Sequence, residues 1–262
     1  MGAKNMSKNH EEQDKLMMNT MYWWGIPSFF KCNFQENIEN TDIAFVGVPH
    51  STGNGTTERD QHLGPRAVRH VSGSLRRVHM KYEFSPWEVA RINDLGDVPL
   101  PEANNNEACI RDISNFYKKL SDSQVKPVSI GGDHSITGGI LRGISGKGSK
   151  LTDGQSVSLL HIDAHTDTYS NGSRYDHGTM FYHAPMEGLI DVDHSIQIGI
   201  RTEYDQRDHG FNVINAIQAN DMSVDEILAE IRRTVADKPV YVTFDIDCLD
   251  PAFAPGTGTP VC

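Results

Sequence analysis

The 262-residue chain carries 24 Lys and Arg against 35 Asp and Glu, a formal net charge of −11 at pH 7. That length suffices for one large α/β domain or two small ones, and the acidic balance argues against a nucleic-acid partner while favouring cationic small molecules and metal ions. No run approaches the ~20 apolar residues that span a bilayer, and mean hydropathy is −0.47. The start, Met1 to Lys15, has no apolar core of a secretory signal. Cys32, Cys109, Cys248 and Cys262 show neither CxxC spacing nor disulfide density. The expectation is a cytoplasmic protein with reduced thiols and no membrane association.

Residues 1–20 are polar and read as a tail. Met21-Tyr22-Trp23-Trp24-Gly25-Ile26-Pro27-Ser28-Phe29-Phe30 is too aromatic to be left in water, and reads as an arm packing on its own domain or on a neighbouring subunit. Residues 1–40 thus form an N-terminal extension, and 41–262 form one α/β domain.

Ile43 to Pro49 reads as the first core strand. It ends in a small-residue loop, Ser51-Thr52-Gly53-Asn54-Gly55-Thr56-Thr57, which lacks the Lys-Ser/Thr and the glycine order of nucleotide-binding loops. Gly64-Pro65 opens a helix, and Arg91 to Asp97 is a short strand and turn. Ile110, Ile113, Phe116, Tyr117 and Leu120 form a helical stripe over Glu107–Leu120. Lys126–Ile130 is a strand, followed by Gly131-Gly132-Asp133-His134 and a helix from about Ser135 to Arg142. Val157–Leu160 and Ser195–Ile200 are further strands. Ser223 caps a helix to Ala236 with Glu226 in capping-box position, and Val240–Phe244 is the last strand. Strands and helices alternate, so the fold class is α/β with a mainly parallel sheet flanked by helices.

Three strand ends carry the same chemistry: Asp133-His134, then Asp163, His165 and Asp167, then Asp245 and Asp247. In open α/β sheets, sites form outside the carboxyl ends of strands. Spacings of two and four residues point side chains one way if the chain stays extended. Two carboxylates ~4 Å apart repel by about 4 kcal/mol at an effective dielectric near 20, so four of them gathered together need cations or protons. Imidazoles among carboxylates favour a first-row transition ion, Mn²⁺ first, with Ni²⁺, Fe²⁺ or Co²⁺ behind, and the carboxylates suffice to bridge two ions.

GGDHSIT, HIDAHTDTY, YDHGTMF and DIDCLDPAFAPGTGTP, in that order, resemble the metal motifs of the ureohydrolases, the family of arginase and agmatinase, and the agmatinase-like branch fits best. The resemblance implies a three-layer α/β/α fold and hydrolysis of a guanidino compound to urea and an amine by two Mn²⁺ per chain, with Ni²⁺ as the alternative. It also implies a homo-oligomer, a trimer or a hexamer. His134 matches a ligand of the first ion, completed by Asp167; Asp163 and Asp245 match the bridging carboxylates; His165 and Asp247 complete the second ion. Asp133 and His161 match no ligand. His177 matches a histidine that carries a proton to the leaving amine, and Asp167 doubles as a catalytic group that holds the attacking oxygen. Tyr169 and Asn171 are candidates for substrate contact. The aromatic arm and the STGNGTTERDQHLGPR loop resemble the branch with guanidine and guanidino-acid hydrolases, so agmatine, 4-guanidinobutyrate, 3-guanidinopropionate and guanidine compete as substrates. A non-catalytic member would be favoured by loss of a ligand, and none is lost. A zinc deacetylase of similar fold would not need this many ligands.

Family members continue for several tens of residues past the position of Cys262. The resemblance therefore implies that the chain lacks a last strand and helix, and a glutamate that helps hold the guanidinium. The expected consequences are an unpaired edge beside the strand ending at Asp245, weak solubility and low activity.

Overall fold

In the computed structural model, residues 25–53, 60–204 and 209–262 are described. The polar tail, Met21 to Trp24 of the aromatic arm and Asn54 to Thr57 of the small-residue loop lie outside them.

Among the described residues eight strands are all paired in parallel: β1 (Asn33–Phe34), β2 (Ile43–Val48), β3 (Ile92–Asp97), β4 (Lys126–Gly131), β5 (Ser158–Ile162), β6 (Ile196–Ile200), β7 (Asn212–Asn215) and β8 (Val240–Phe244). The helices are α1 (Gly64–Ser72), α2 (Asn106–Asp122), α3 (Ile136–Ile144), α4 (Met180–Met186), α5 (Ala216–Asp221) and α6 (Val224–Val235). This is the α/β class read from the sequence, with one difference. The strands form two four-stranded sheets, ordered β1-β3-β2-β4 and β7-β6-β5-β8. The alternation of elements fixes parallelism, because crossover helices return the chain to the same edge. It carries no information on which outer strands meet, and here β4 and β8 each end a sheet.

The first core lies where β2 and β4 pack against α2 and α3. The stripe of α2 delivers Ile110, Ile113, Tyr117 and Leu120, all buried, onto Val46, Val48 and Ile140. Each such side chain is worth about 1.5–3 kcal/mol of transfer free energy. Asn105 starts α2 by accepting a hydrogen bond from the Ala108 amide at 3.1 Å. A second core gathers Leu141, Leu159, Met180, Phe181 and Phe211. Phe29 and Phe30 of the aromatic arm pack on their own chain, whereas Ile26 is exposed. Phe29 is buried, its ring 5.6 Å from Phe45 and beneath the Arg69 guanidinium, and the Phe30 ring is 6.1 Å from Trp87. The expected capping box of Ser223 and Glu226 is present at the start of α6.

β8 pairs with β5 alone among the described strands, in the register Leu160↔Val242 and Ile162↔Phe244. Tyr241 packs into the two larger cores, while Val240, Val242 and Phe244 on the opposite face are 42%, 58% and 54% exposed. Among the described residues no helix is long and apolar enough to cross a membrane.

Candidate metal centre

β5 and β8 are parallel neighbours, so the segments after Ile162 and Phe244 emerge at one edge, and the segment after Gly131 brings His134 to them. The turn after β4 needs glycine at Gly132, which has φ +48°, and a Cβ there would run into the carbonyl oxygens of Val48 and His50. Asp163 and Asp245 are pinned by continuing the ladders: the Asp163 amide donates to Ile198 O at 3.1 Å, and the Asp245 amide to Ile162 O at 2.9 Å.

Extended geometry ends there, which corrects the simple alternation read from the sequence. The chain bends over residues 163–165, and Asp167 adopts a left-handed backbone with φ 55°, a conformation that stores strain in a non-glycine residue. Residues 246–248 form a 3-10 turn rather than strand. The acids therefore separate into two groups. Nδ1 of His134 lies 2.9 Å from Asp167 Oδ2, 3.1 Å from Asp163 Oδ2 and 3.2 Å from Asp245 Oδ2. Nδ1 of His165 lies 3.0 Å from Asp247 Oδ2 and 3.5 Å from Asp163 Oδ1. Asp163 presents one oxygen to each group.

The electrostatics follow from burial and crowding. Burial and the neighbouring Asp163 charge raise the Asp167 carboxyl, and burial raises that of Asp247, with Asp245 and Asp163 adding to it against the pull of His165. Burial works against charging His134, yet Asp163, Asp167 and Asp245 around it hold its imidazole well above the usual range. Asp163 and Asp247 push His165 up to about 10. Burial opposes ionisation of Asp245, and His134 beside it lowers its carboxyl all the same. Four carboxylates and two imidazoles thus compete for protons in a small volume.

Nδ1 of His134 and Oδ2 of Asp167 are buried and make no hydrogen bond, although they face each other. Buried polar atoms are rarely left so, and a cation between them would satisfy both. Two groups of side chains offer ligand atoms that could hold an ion, His134, His161, Asp163 and Asp167 in one, and Asp163, His165 and Asp247 in the other. The donor set of oxygens with imidazole nitrogens suits a divalent transition ion.

All six residues read as ligands come together in this way. Asp133 turns from the centre and organises the preceding loop, its Oδ2 accepting from the Gly53 amide at 2.8 Å and its Oδ1 from the Ser135 amide at 2.9 Å. His177 lies in the loop before α4, its side chain 21% exposed and its amide donating to Gly53 O at 3.3 Å. Tyr169 and Asn171 are exposed in the loop after Asp167.

Several residues around the centre escape sequence reasoning. Thr243 Oγ1 is 2.8 Å from His134 Nε2. Thr259 donates from Oγ1 to Asp247 Oδ2 at 3.0 Å. Arg201 donates to the carbonyls of Asp247 at 2.7 Å, Cys248 at 3.0 Å and Val261 at 2.8 Å, tying down the segment that follows Asp245. Asn106 donates to Tyr175 O at 2.8 Å and faces His50 Nε2 at 2.9 Å, bracing the loop of His177. Only the alternation of Thr243 on β8 gave any signal, since its side is the buried one.

Residues 41–262 match the model of the arginase family. The chain belongs to the arginase family. Among its relatives in that family, the agmatinase of Escherichia coli O1:K1 is 43% identical over 254 residues, which cover 96% of this chain and 79% of that protein. The crystal structure of a hypothetical agmatinase from Burkholderia thailandensis superposes with a TM-score of 0.83 at 35% identity, covering 92% of this chain and 74% of that one. Proclavaminate amidino hydrolase from Streptomyces clavuligerus gives 0.82 at 33% identity, covering 92% of this chain and 80% of its own. This arginase-family chain thus shares its fold with proteins named as a hypothetical agmatinase and an amidino hydrolase.

Proposed function

We propose that this arginase-family chain is a binuclear-metal hydrolase that cleaves a guanidino compound, agmatine foremost, to urea and an amine. The observation that carries the reading is the carboxylate of Asp163, one oxygen facing His134 and Asp167, the other His165 and Asp247. The 43% identity to an agmatinase supports the substrate class.

In this reading His134, Asp163, Asp167 and Asp245 would hold one ion, and Asp163, His165, Asp245 and Asp247 the other; the ions would be manganese, with nickel the alternative. When bound, the pair supplies Lewis acidity that lowers the pKa of a shared water. Asp167, strained and buried, holds the attacking oxygen through its carboxylate. His177, partly exposed in the loop before α4, carries a proton to the departing amine nitrogen. The carboxylates attract a cationic guanidinium, and it enters from the side of Asp245 and His165, whose side chains are each 21% exposed while that of Asp163 is 1% exposed. Tyr169 and Asn171 meet the substrate's tail. Water adds to the guanidinium carbon, the C–N bond to the amine breaks, and urea and the protonated amine balance the atoms. The protein works as a homo-oligomer, a trimer or hexamer, in the cytoplasm.

The test is urea release from agmatine, 4-guanidinobutyrate, 3-guanidinopropionate and guanidine, with manganese and then nickel, beside Asp245→Ala. Urea from one substrate, absent in the variant, supports the reading; no urea from any of the four removes it. Sedimentation of the full chain reports the assembly.

A further inference from the structure

We propose that Gln197 is a positioning residue for the metal centre: its side-chain amide fixes the tautomer and orientation of His161, which in turn fixes the carboxylate of Asp163. The inference rests on the metal reading above and adds a residue that touches neither ion nor substrate.

Gln197 sits on β6 directly opposite His161 on β5, and both are fully buried. Its Nε2 lies 2.8 Å from Thr166 O and 3.0 Å from His161 Nδ1. A backbone carbonyl only accepts, so the atom facing Thr166 O is the amide nitrogen, and the amide orientation is settled without reference to His161. The second N–H of that nitrogen points at His161 Nδ1. Nδ1 therefore presents its lone pair, and the ring proton rides on Nε2. Nε2 lies 2.7 Å from Asp163 Oδ2 and donates to it. The ring packs edge-on against Phe181, centroids 4.7 Å apart, and the hydrogen bonds at both nitrogens favour this orientation.

The consequence falls on Asp163. Its Oδ2 accepts from His161, and its Oδ1 accepts from the His165 amide at 2.6 Å. Each carboxylate oxygen has two lone-pair directions, so each keeps one free, the first toward His134 and Asp167 and the second toward His165 and Asp247. A carboxylate fixed this way is preset to bridge. Partners behind a ligand that fix its orientation commonly change metal affinity 10–100-fold. Gln197 is also a poor choice as a mere core residue. Its Oε1 is buried with no hydrogen-bond partner, a cost that leucine would not incur. What Gln197 contributes is its two donors.

The experiment measures Mn²⁺ binding to the full chain and to Gln197→Leu, His161→Phe and the double variant, together with the melting temperature of each after metal is stripped. Both single variants are expected to weaken manganese binding 10–100-fold, and the double variant no further than either, because the two changes break one relay. Gln197→Leu binding manganese as tightly as the unsubstituted chain, or losses that multiply in the double variant, would overturn the proposal. A merely structural glutamine would lower the stripped melting temperature and leave affinity alone, which also overturns it. Should Gln197→Leu not fold, nitrogen NMR of the stripped, unsubstituted chain decides: a protonated Nε2 with bare Nδ1 on His161 supports the relay, and a proton on Nδ1 refutes it. If the unsubstituted chain binds manganese and releases urea while the variants match it, this inference alone fails. If it does neither, the functional reading fails too.

Discussion

His134 Nδ1 and Asp167 Oδ2 face each other across 2.9 Å in the interior of the protein without forming a hydrogen bond. The left-handed backbone of Asp167 aims its carboxylate there, and the carboxylates of Asp163 and Asp245 crowd the same nitrogen from either side. Such a centre exchanges protons for cations, and its titration follows.

Metal uptake is expected to release protons. Asp167 and Asp247 hold their carboxyl protons more tightly than usual, and His134 and His165 are held protonated above their usual range. All must deprotonate to bind, so apparent manganese affinity is expected to rise with pH until His165 has lost its proton near about 10. Calorimetry in buffers of different ionisation enthalpy measures the release, and a buffer-independent heat would contradict it. In the stripped protein the sign reverses for His165. Its folded value lies above the ordinary ~6.5, so its contribution to stability is complete below that pH. That contribution fades as the pH rises toward about 10.

The two groups of candidate ligands predict separable losses. Asp247→Asn is expected to leave about one manganese per chain, because His134, Asp163, Asp167 and Asp245 remain. Asp163→Asn is expected to lose both. Metal analysis of dialysed protein reads the difference, and equal losses in the two variants would show that the groups do not act as two sites.

Arg201 secures the segment from Asp247 to Val261 through carbonyl acceptors in a planar fork. Arg201→Lys cannot reproduce that fork. Arg201→Ala is expected to cost about 1–2 kcal/mol, since several half-buried acceptors lose their donor. Thermal unfolding measures the loss, with Arg201→Lys falling between the two. An unchanged melting temperature in Arg201→Ala would mean the segment is held by other contacts.

Glu187 lies between Arg142, at 2.6 Å, and Arg174, at 2.5 Å. Burial alone would raise its carboxyl, but the two guanidinium groups hold it below the usual range. Its contribution is present above the unfolded-state value of about pH 4.3 and is lost as the pH falls through the lower folded value. Glu187→Gln is therefore expected to lower the melting temperature at neutral pH and to narrow the gap to the unsubstituted chain on acidification. A gap that does not depend on pH would refute an ionic origin.

How far the sequence reveals this molecule is best judged residue by residue. The six acids and histidines of the centre were legible because each sits within a few residues of an apolar run, and parallel strands bring such ends together. Their division into two groups was not, because it depends on the left-handed turn at Asp167 and the 3-10 turn after Asp245, and no local propensity marks either. β7 is four residues long and α4 contains Pro185, so the usual patterns of strand and helix were weak there. Gln197 was hidden for a different reason. A single polar residue inside Ile196–Ile200 reads as ordinary alternation, and only the strand pairing reveals that it looks directly at His161.

One consequence concerns how the protein behaves in a crowded solution. β8 carries Asp245 into the centre, yet its other flank is unpaired among the described strands and its outer face shows Val240, Val242 and Phe244 to water. Unpaired backbone beside exposed apolar side chains is a template on which further chains can stack. Self-association is therefore expected to start at this strand, and Val242→Lys is expected to keep the chain dispersed, as light scattering against concentration would report.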